Sequence, residues 1–216
     1  EAEPPYQPPP PPVSAWQYGF GEYDDAAKRV KHFTPLPHFS GDAWQGGMKW
    51  PDEKLGWVRL TADGGHAGND PQHAAIRRWI APLNGAVSIT GTVQHSHEAG
   101  DGVRARIVSS RHGSLGDWKV HKGKAETNAK SVSVHKGDAL DFLVDYHANL
   151  NSDDFTWAPV IKVLAAAATP AAGAYPAEWN ARKEFSGPPV PPPQPLSAWE
   201  KYAQVLLLSN EFLFVD

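Results

Sequence analysis

The chain contains no cysteine among its 216 residues, and this absence excludes disulfides, iron–sulfur clusters and zinc sites built on thiolates. It has no apolar run of about 18 residues, the length that a membrane-spanning helix needs. It also has no basic tract: 20 Lys and Arg are outnumbered by 24 Asp and Glu, for a net charge of −4. Because nucleic-acid binding requires clustered Lys and Arg, we expect neither a nucleic-acid partner nor a membrane partner.

Tryptophan and proline are abundant, with nine and 21 residues, and hydrophobic residues make up 41% of the chain. That share is enough for a buried core. The prolines concentrate in 4–12 and 188–195, and proline tracts favour extended spacers. The opening Glu1-Ala2-Glu3 resembles the remnant of a yeast secretion leader. The sequence thus predicts a Pro-rich leader with an expression remnant, a β-sandwich domain, an Ala/Pro-rich linker and a C-terminal helix with its tail: 1–15, 16–165, 166–195 and 196–216.

The body has the pattern of an all-β domain. Short runs of β-branched or alternating apolar residues recur about every ten residues, separated by Gly, Asn and Asp. Asn84-Gly85 between two apolar runs predicts one hairpin, and the alternating residues of 132–144 predict a second. The expected fold is an antiparallel β-sandwich of the jelly-roll, galactose-binding-like kind. Its predicted strands are Trp57–Thr61, Ala74–Ile80, Ala86–Val93, Val103–Ser109, Asp117–His121, Ser131–His135, Ala139–Tyr146 and Phe155–Leu164.

Alternating apolar residues of these strands are expected to form the core, because successive side chains of a strand point to opposite faces. Trp79 and Trp157 lie inside predicted strands and are assigned to the core as well. The other core positions predicted are Val87, Ile89, Ile107, Val132, Val134, Leu140, Phe142 and Val144.

The end of the chain predicts an amphipathic helix. Ser197 followed by Glu200 is a capping box, in which each side chain bonds the backbone N–H of the other residue. Apolar residues then recur at helical spacing, so one face of the helix is apolar. We expect that face to dock on the sandwich or to belong with a neighbouring domain.

Several longer motifs resemble one known family. They are Trp44-Gln-Gly-Gly, Gly64-Gly-His66-Ala-Gly-Asn69-Asp70, His73-Ala-Ala-Ile-Arg-Arg-Trp79, Asn151-Ser-Asp153-Asp-Phe-Thr-Trp157 and the ending Trp199–Asp216. From about Trp16 onward, the chain resembles the C-terminal region of large secreted planctomycete proteins with cytochrome c-like domains and planctomycete-specific domains of unknown function. The resemblance implies an extracytoplasmic location, secreted or periplasmic, and a sandwich similar to carbohydrate-binding modules. It implies no catalytic residue.

The first candidate ligand site combines aromatic and polar side chains on glycine-rich loops. Trp44 and Trp50 flank a glycine pair, and an indole on a loop can stack on a sugar ring or can instead pack over the end of the sandwich. His66, Asn69, Asp70 and His73 follow within one loop. They could grip vicinal hydroxyls, supply an acid/base pair, or only satisfy loop backbone groups through an Asx turn.

The residue pattern also suggests two possible metal sites. His95 and His97 are expected on the same face of a strand, a spacing that suits one zinc or copper ion, with His147 or Asp145 as third ligand. Alternatively, they are exposed histidines of a polar face. Alternating oxygen ligands at Asn149, Asn151 and Asp153 suit calcium, although the spacing is not that of an EF-hand.

Five arginines in or close to the predicted strands form a last candidate set. They either line one sheet face and receive an acidic sugar, or pair with the acidic residues of the chain. Arg77 and Arg78 are adjacent in one strand and must therefore point to opposite sides. The other three are Arg104, Arg106 and Arg111.

Three functions remain open from the sequence. The first is a non-catalytic module that binds a polysaccharide or oligosaccharide as part of a larger secreted bacterial protein. The second is a metal-dependent enzyme acting on a polysaccharide, with His95, His97 and His147 as ligands. The third is an architectural domain that packs against neighbouring cytochrome-like domains of the parent protein.

Overall fold

The structure is a computed structural model that describes residues 14–166, 175–189 and 196–208. The chain divides into a β unit, Ser14–Pro188, and a second unit made of the two chain ends, Glu1–Val13 and Pro189–Asp216. Among the described residues, the β unit contains seventeen strands in three antiparallel sheets and one short 3-10 helix, Pro71–His73. The expected all-β class is therefore confirmed, and so is a helix near the C-terminus.

The first sheet has six strands and forms one layer of the sandwich. Every neighbouring pair in it is antiparallel. Its two central strands, β14 (Ala139–Tyr146) and β7 (Ala74–Ile80), are buried along almost their whole length. In spatial order the strands are β11 (Gly113–Val120), β10 (Val103–Ser109), β14 (Ala139–Tyr146), β7 (Ala74–Ile80), β1 (Trp16–Asp24) and β2 (Arg29–Pro35).

The other two sheets share three stretches of chain, each of which contributes a strand to both. The second sheet has the order β12 (Gly123–Glu126), β9 (Thr92–His95), β15 (Asp154–Thr156), β6 (Gly64–His66), β5 (Arg59–Thr61), β4 (Ala43–Gln45) and β3 (His38–Phe39). The third has the order β13 (Ala129–Val134), β8 (Gly85–Thr90), β16 (Val160–Ala166) and β17 (Glu178–Asn180).

Two strands predicted as continuous are each split between these sheets. The predicted Ala86–Val93 divides at Gly91 into β8 and β9, and the predicted Phe155–Leu164 divides after Thr156 into β15 and β16. The breaks lie side by side. The backbone N–H of Thr127 donates to Gly91 O at 2.8 Å, and Trp157 Nε1 donates to Thr127 Oγ1 at 2.9 Å. We call this row of breaks the bend.

Both predicted hairpins are wrong for a shared reason. The turn at Asn84-Gly85 connects β7 in the first sheet to β8 in the third, and the turn within 132–144 connects β13 in the third sheet to β14 in the first. Each turn therefore crosses between layers. Turn residues show where the chain reverses, but they do not show which strands share hydrogen bonds.

The β unit has strands outside the predicted strand ranges at both ends. β1 and β2 pair with each other, and β1 also pairs with β7, although no strand was predicted before Trp57. Within the predicted linker 166–195, β17 pairs with β16, and Trp179 is buried in the core. The rest of that range includes 167–174 and 190–195, which lie outside the described residues, as do 1–13 of the leader.

The core positions predicted from alternation are confirmed. All eight are buried, as are Trp79 and Trp157, and they join one cluster that also includes Trp16, Tyr18 and Trp179. The ring centroid of Phe142 lies 6.0 Å from that of Trp16 and 5.4 Å from that of Trp157. Aromatic side chains from both layers therefore fill the interior of the sandwich.

The C-terminal helix α1, Ala198–Leu208, begins with the predicted capping box. The backbone N–H of Ser197 donates to Glu200 Oε2 at 2.7 Å, and that of Glu200 donates to Ser197 Oγ at 3.2 Å. The tail 209–216 lies outside the described residues, and docking of the helix stays a prediction. In the part of the chain that the structure describes, no helix is long and apolar enough to cross a membrane.

Replacing Phe142 by Ala tests the core. Phe142 is 2% exposed and contacts two tryptophan rings, so Phe142→Ala is expected to lower the free energy of unfolding by about 3–5 kcal/mol through lost burial and cavity formation. Urea unfolding followed by tryptophan fluorescence measures it. Leu164→Ala, at a 54% exposed position of β16, is the control and is expected to change stability by less than about 1 kcal/mol. Equal losses for both variants would contradict the assigned core.

Candidate functional site

The second sheet has one face in the core and one towards solvent. Leu60, Val93 and Phe155 are buried in the core cluster, and Trp44 packs against it. Their neighbours along each strand point the other way. The register places these neighbours opposite one another across successive strands. We call this polar surface the outward face; its residues are Arg59, His66, Asp154, Thr156, Gln94 and Lys124. Gln45, opposite Arg59, is buried and donates to Gly47 O at 2.8 Å.

The loop between β4 and β5, residues 46–57, is held by its own hydrogen bonds. The backbone groups of Asp52 and Gly56 bond each other twice, at 2.9 Å each. The carboxylate of Asp52 accepts the N–H of Leu55 at 2.8 Å and that of Lys54 at 3.0 Å, and these bonds lower the pKa of Asp52. The loop is thus pre-organised by contacts within itself.

This loop brings two tryptophans against the outward face. Trp50 and Trp57 meet edge to face, with ring centroids 4.9 Å apart, and Trp50 Nε1 donates to Trp57 O at 3.0 Å. The ring of His66 lies 5.9 Å from Trp50 and 5.5 Å from Trp57, and the guanidinium of Arg59 lies 5.0 Å from the centre of the Trp50 ring. We call these four residues the aromatic cluster.

His66 supplies a hydrogen-bond acceptor to the aromatic cluster. Its Nδ1 lies 2.6 Å from Ala67 O, and because a carbonyl oxygen only accepts, Nδ1 carries the proton and Nε2 is the acceptor of the neutral ring. Burial lowers the pKa of His66 below its usual value. The ring is therefore neutral near pH 7.

Asn69 contacts the aromatic cluster through the backbone of Trp57. Its Oδ1 accepts the backbone N–H of Trp57 at 3.3 Å. Gly56, with φ +63°, lies so close that an added Cβ would be 2.7 Å from the Asn69 side chain. Of the candidate residues from the sequence, the structure thus brings Trp50, His66 and Asn69 together.

Asp70 and His73 form a separate pair. His73 Nδ1 lies 2.7 Å from Asp70 Oδ2, and Asp70 Oδ1 also accepts the backbone N–H of Gln72 at 2.8 Å, capping the 3-10 helix. The acid/base pair considered from the sequence, His66 with Asp70, is not present, because Asp70 bonds His73 and His66 bonds Ala67. This part of the loop is therefore an Asx turn, the third alternative given for it in the sequence.

Trp44 lies in an aromatic group on the core side of β4. Its ring centroid is 5.3 Å from that of Phe39 and 6.1 Å from that of Tyr18, and its Nε1 donates to Ser186 O at 2.8 Å. The side chain is half-buried and packs against the core cluster. Packing at the end of the sandwich therefore accounts for its contacts.

His95, His97 and His147 have separate partners. His95 is fully buried: its Nε2 lies 2.6 Å from Ser152 O, and its Nδ1 accepts the N–H of Lys122 at 3.3 Å. His97 lies beyond the end of β9 and contacts Asp154 at 2.8 Å, while His147 contacts Asp101 at 3.1 Å. Within residues 14–166, 175–189 and 196–208, no group of three His, Asp or Glu side chains is arranged to hold a metal.

The proposed calcium ligands lie in the loop after β14. Asn149 Oδ1 accepts the N–H of Asn151 at 3.0 Å, and the N–H of Asn149 donates to Asp101 Oδ1 at 3.2 Å. Asp153 is 1% exposed, and its Oδ1 is buried without a hydrogen-bond partner among the described residues. Burial, and then the charges of Asp101 and Asp154, raise the pKa of Asp153 to about 6.

All five arginines form hydrogen bonds or ion pairs with other groups of the protein. Arg77 is buried and donates to Thr61 O at 2.6 Å, whereas Arg78 pairs with Asp141, so the two point to opposite sides as predicted. Burial lowers the pKa of Arg77 to about 10. The remaining three pair with carboxylates, which is the second alternative that the sequence left open for the arginines. The pairs are Arg104 with Asp145, Arg106 with Asp117 and Asp145, and Arg111 with Asp138.

A groove of about 720 Å³ follows the bend on the outer side of the sandwich. Thr92, Thr156 and Glu126 reach it from the second sheet, at outward positions of β9, β15 and β12. Arg182, which pairs with Asp63 at 2.5 Å, also lines the groove. Hydroxyls, amides, charged side chains and the apolar Trp157, Ala158 and Val160 line this groove, which we call the bend groove.

No family model matches the chain, and no curated protein matches it. Among solved structures, it is similar to rabbit GITRL with 11% identity and a TM-score of 0.31, over 42% of this chain and 72% of that chain. It is also similar to the PA14 domain of the MpAFP antifreeze protein with 12% identity and a TM-score of 0.30, over 76% of this chain and 90% of that chain. Similarity at this level carries no argument about function.

Trp57 and Arg59 are members of the aromatic cluster that the sequence did not identify. Both were assigned to a strand that begins at Trp57, but β5 begins only at Arg59. The available signal was the glycine at 56, because glycine before Trp57 favours a turn over a strand. In the structure, Gly56 has a positive φ. Arg59 gave no signal of its own, since its role comes from the position of Trp50.

Replacing Asp153 by Asn tests the buried carboxylate. Because its folded pKa lies above the unfolded value, the native state holds the proton more tightly, and the stability of the wild type is expected to fall as pH rises from about 4 to about 6. Asp153→Asn removes this loss. We expect it to raise the free energy of unfolding at pH 7 by about 1 to 3 kcal/mol and to match the wild type below pH of about 4. Urea unfolding across pH measures the difference.

Glu53→Gln, at an exposed position of loop 46–57, is the control and is expected to leave the pH profile unchanged. An Asp153→Asn protein less stable than the wild type at pH 7 would contradict the assignment. Repeating the measurement with calcium tests the calcium prediction in the same samples. A calcium-dependent rise of the wild-type free energy of unfolding that is absent in Asp153→Asn would support that prediction.

Proposed function

We propose that this protein is a non-catalytic glycan-binding module that uses the aromatic cluster. One observation carries the proposal: Trp57 is 41% exposed, although its ring is held edge to face against Trp50 in a loop fixed by internal hydrogen bonds. Fixing a large apolar ring at the surface leaves a flat contact area that loses little entropy on binding. Such a surface suits stacking of the C–H groups of a sugar ring.

Polar groups beside Trp57 supply direction to the bound sugar. His66 offers the Nε2 acceptor of its neutral ring, and Arg59 offers guanidinium N–H donors close to its ion pair with Asp42, at 3.2 Å. Sugar hydroxyls both donate and accept, so a neutral acceptor next to a donor matches them. In this proposal, stacking supplies the contact area, and His66 and Arg59 select the orientation of the hydroxyls.

The arrangement of carboxylates favours binding over hydrolysis. Hydrolysis of a glycosidic bond commonly requires two carboxyl groups on either side of that bond. Near the aromatic cluster, Asp52 is held by backbone N–H groups of its own loop, and Asp42 is paired with Arg59. Asp70 is committed to His73. These carboxylates therefore stabilise the loops that carry the aromatic rings.

The setting of the module follows from the family resemblance. We propose that it acts outside the cytoplasm as one domain of a larger secreted bacterial protein, with neighbouring domains of the cytochrome c-like kind. We also propose that its sheets have the jelly-roll, galactose-binding-like arrangement. The separation of β7 from β8 and of β13 from β14 into opposite layers supports this, since such crossings between layers are frequent in jelly rolls.

Replacing Trp57 by Ala tests the function. The wild type is expected to be retained on at least one of insoluble cellulose, chitin and xylan, with a Kd in the micromolar to millimolar range. Trp57→Ala is expected to weaken that binding about five- to tenfold, since one stacking contact contributes on the order of 1 kcal/mol. Depletion isotherms measure the Kd, and circular dichroism checks the fold.

Trp199→Ala is the matched control, because Trp199 is 80% exposed in α1 and lies outside the aromatic cluster. It is expected to bind as the wild type does. If Trp57→Ala stays folded and binds equally well, the aromatic cluster is not the site. If the wild type is retained on none of these glycans, the proposed function is wrong.

A further inference from the structure

We infer that the ligand is a linear, uncharged glycan that lies across the strands of the outward face, from the aromatic cluster to the bend groove. This inference rests on the proposed function and adds to it the class of glycan and the direction of the bound chain. It follows from the register of the second sheet, from the side chains along the path, and from how their charges are paired.

The register places the two ends on one surface. His66 lies opposite Arg59 on one side and opposite Asp154 on the other. Thr156 then lies opposite Gln94, on the strand next to β12. Four strand spacings separate β5 from β12, a distance of roughly 19 Å at about 4.8 Å per strand. An extended glycan of about four sugar units would cover that distance.

The path between the ends is open and polar. Thr156 and Gln94 are exposed, and their hydroxyl and amide groups can exchange hydrogen bonds with sugar hydroxyls. Gly64 lies opposite Thr156 in β6 and is itself buried, so no side chain projects from it into the path. At the far end, Thr92 Oγ1 donates to Glu126 Oε1 at 2.9 Å on the wall of the bend groove. The path therefore offers hydrogen-bonding groups without a second aromatic ring.

Most charges along the path are paired with opposite charges. Arg59 pairs with Asp42 at 3.2 Å and His97 contacts Asp154 at 2.8 Å. Arg182 pairs with Asp63 in the bend groove. Among the described residues, Lys124 on the outward face and Lys183 in the bend groove are exposed without an ion pair, and Glu126 adds a carboxylate to the groove. A carboxylated or sulfated glycan would have to compete with carboxylates for Arg59 and Arg182 and would meet the negative charge of Glu126, whereas hydroxyl groups can bond to paired charges without separating them. These charges favour an uncharged glycan.

The separation of the two ends of the path favours a linear glycan over a single terminal sugar. The aromatic cluster and the bend groove are separated by a single row of small or extended side chains, Gly64, Thr156 and Gln94. A single terminal sugar could contact only one of the two ends. Binding at both ends requires one chain that continues between them, and the effective concentration of its second end then adds to affinity.

The test uses a series of soluble oligosaccharides, from the disaccharide to the hexasaccharide, of the polysaccharide that retains the wild type. The variant Gln94→Ala/Thr156→Ala changes the middle of the path and leaves the aromatic cluster intact. Calorimetry is expected to show wild-type affinity rising at least tenfold between the disaccharide and about the tetrasaccharide. The double variant is expected to lose most of that rise and to bind the disaccharide as the wild type does.

The control variant is Ser131→Ala, at an exposed position in β13 of the third sheet, which is expected to behave as the wild type at every length. Polygalacturonate, a linear glycan with a carboxylate on each sugar, is the charge probe and is expected to bind more weakly than the uncharged glycan. Equal or tighter binding of polygalacturonate would overturn the inferred class.

The outcomes separate the inference from the proposed function. An affinity that stops rising at the disaccharide, or a double variant that binds all lengths as the wild type does, overturns the inferred path. If Trp57→Ala still weakens binding in that case, the proposed function stands. Loss of length dependence in the double variant together with loss of binding in Trp57→Ala supports both. A wild type that binds no glycan overturns both.

Discussion

The close approach of Trp157 to Thr127 is the contact on which the arrangement of the outer layer depends. The indole N–H donates to the threonine hydroxyl at 2.9 Å in a buried position, and a Cβ at Gly91 would lie 3.1 Å from both atoms of this bond. Glycine at 91 therefore leaves the space that the bond needs. Three neighbouring stretches of chain are joined here and therefore bend together. This bend divides one layer of the sandwich into the second and third sheets, with a groove along it.

A second buried contact ties the site to the opposite layer. Arg77 comes from the centre of the first sheet and donates to the carbonyl oxygens of Thr61, at 2.6 Å, and Ala62, at 3.3 Å, at the end of β5. Burial lowers its pKa only to about 10, so the guanidinium stays charged and its hydrogen bonds to carbonyl oxygens remain strong. β5 also carries Arg59, and this contact therefore fixes the strand from which the aromatic cluster is built.

The core could be predicted from the sequence, but the pairing of strands could not. Alternation depends only on which side chains must avoid water, so Val87, Leu140 and Phe142 were identified correctly. Pairing depends on contacts between distant segments: the bend at Gly91 exists because of Trp157, which is 66 positions away in the chain. The same limit applies to the site. Trp50 and His66 were identified by their loops, whereas Trp57 becomes part of the cluster only through the fold of 46–57.

The distribution of charges supports the proposal that the second sheet, and not the first, carries the binding face. On the first sheet, Arg106 is fully buried between Asp117 and Asp145, with its guanidinium 4.2 Å from the centre of the Tyr23 ring. Displacing these carboxylates would leave the buried guanidinium without a partner, at high cost. On the outward face of the second sheet, the pairs are partly exposed, and water already solvates them. The glycan that we propose to bind there would replace water at polar groups and would cover Trp57, so it would gain apolar contact without breaking a buried ion pair.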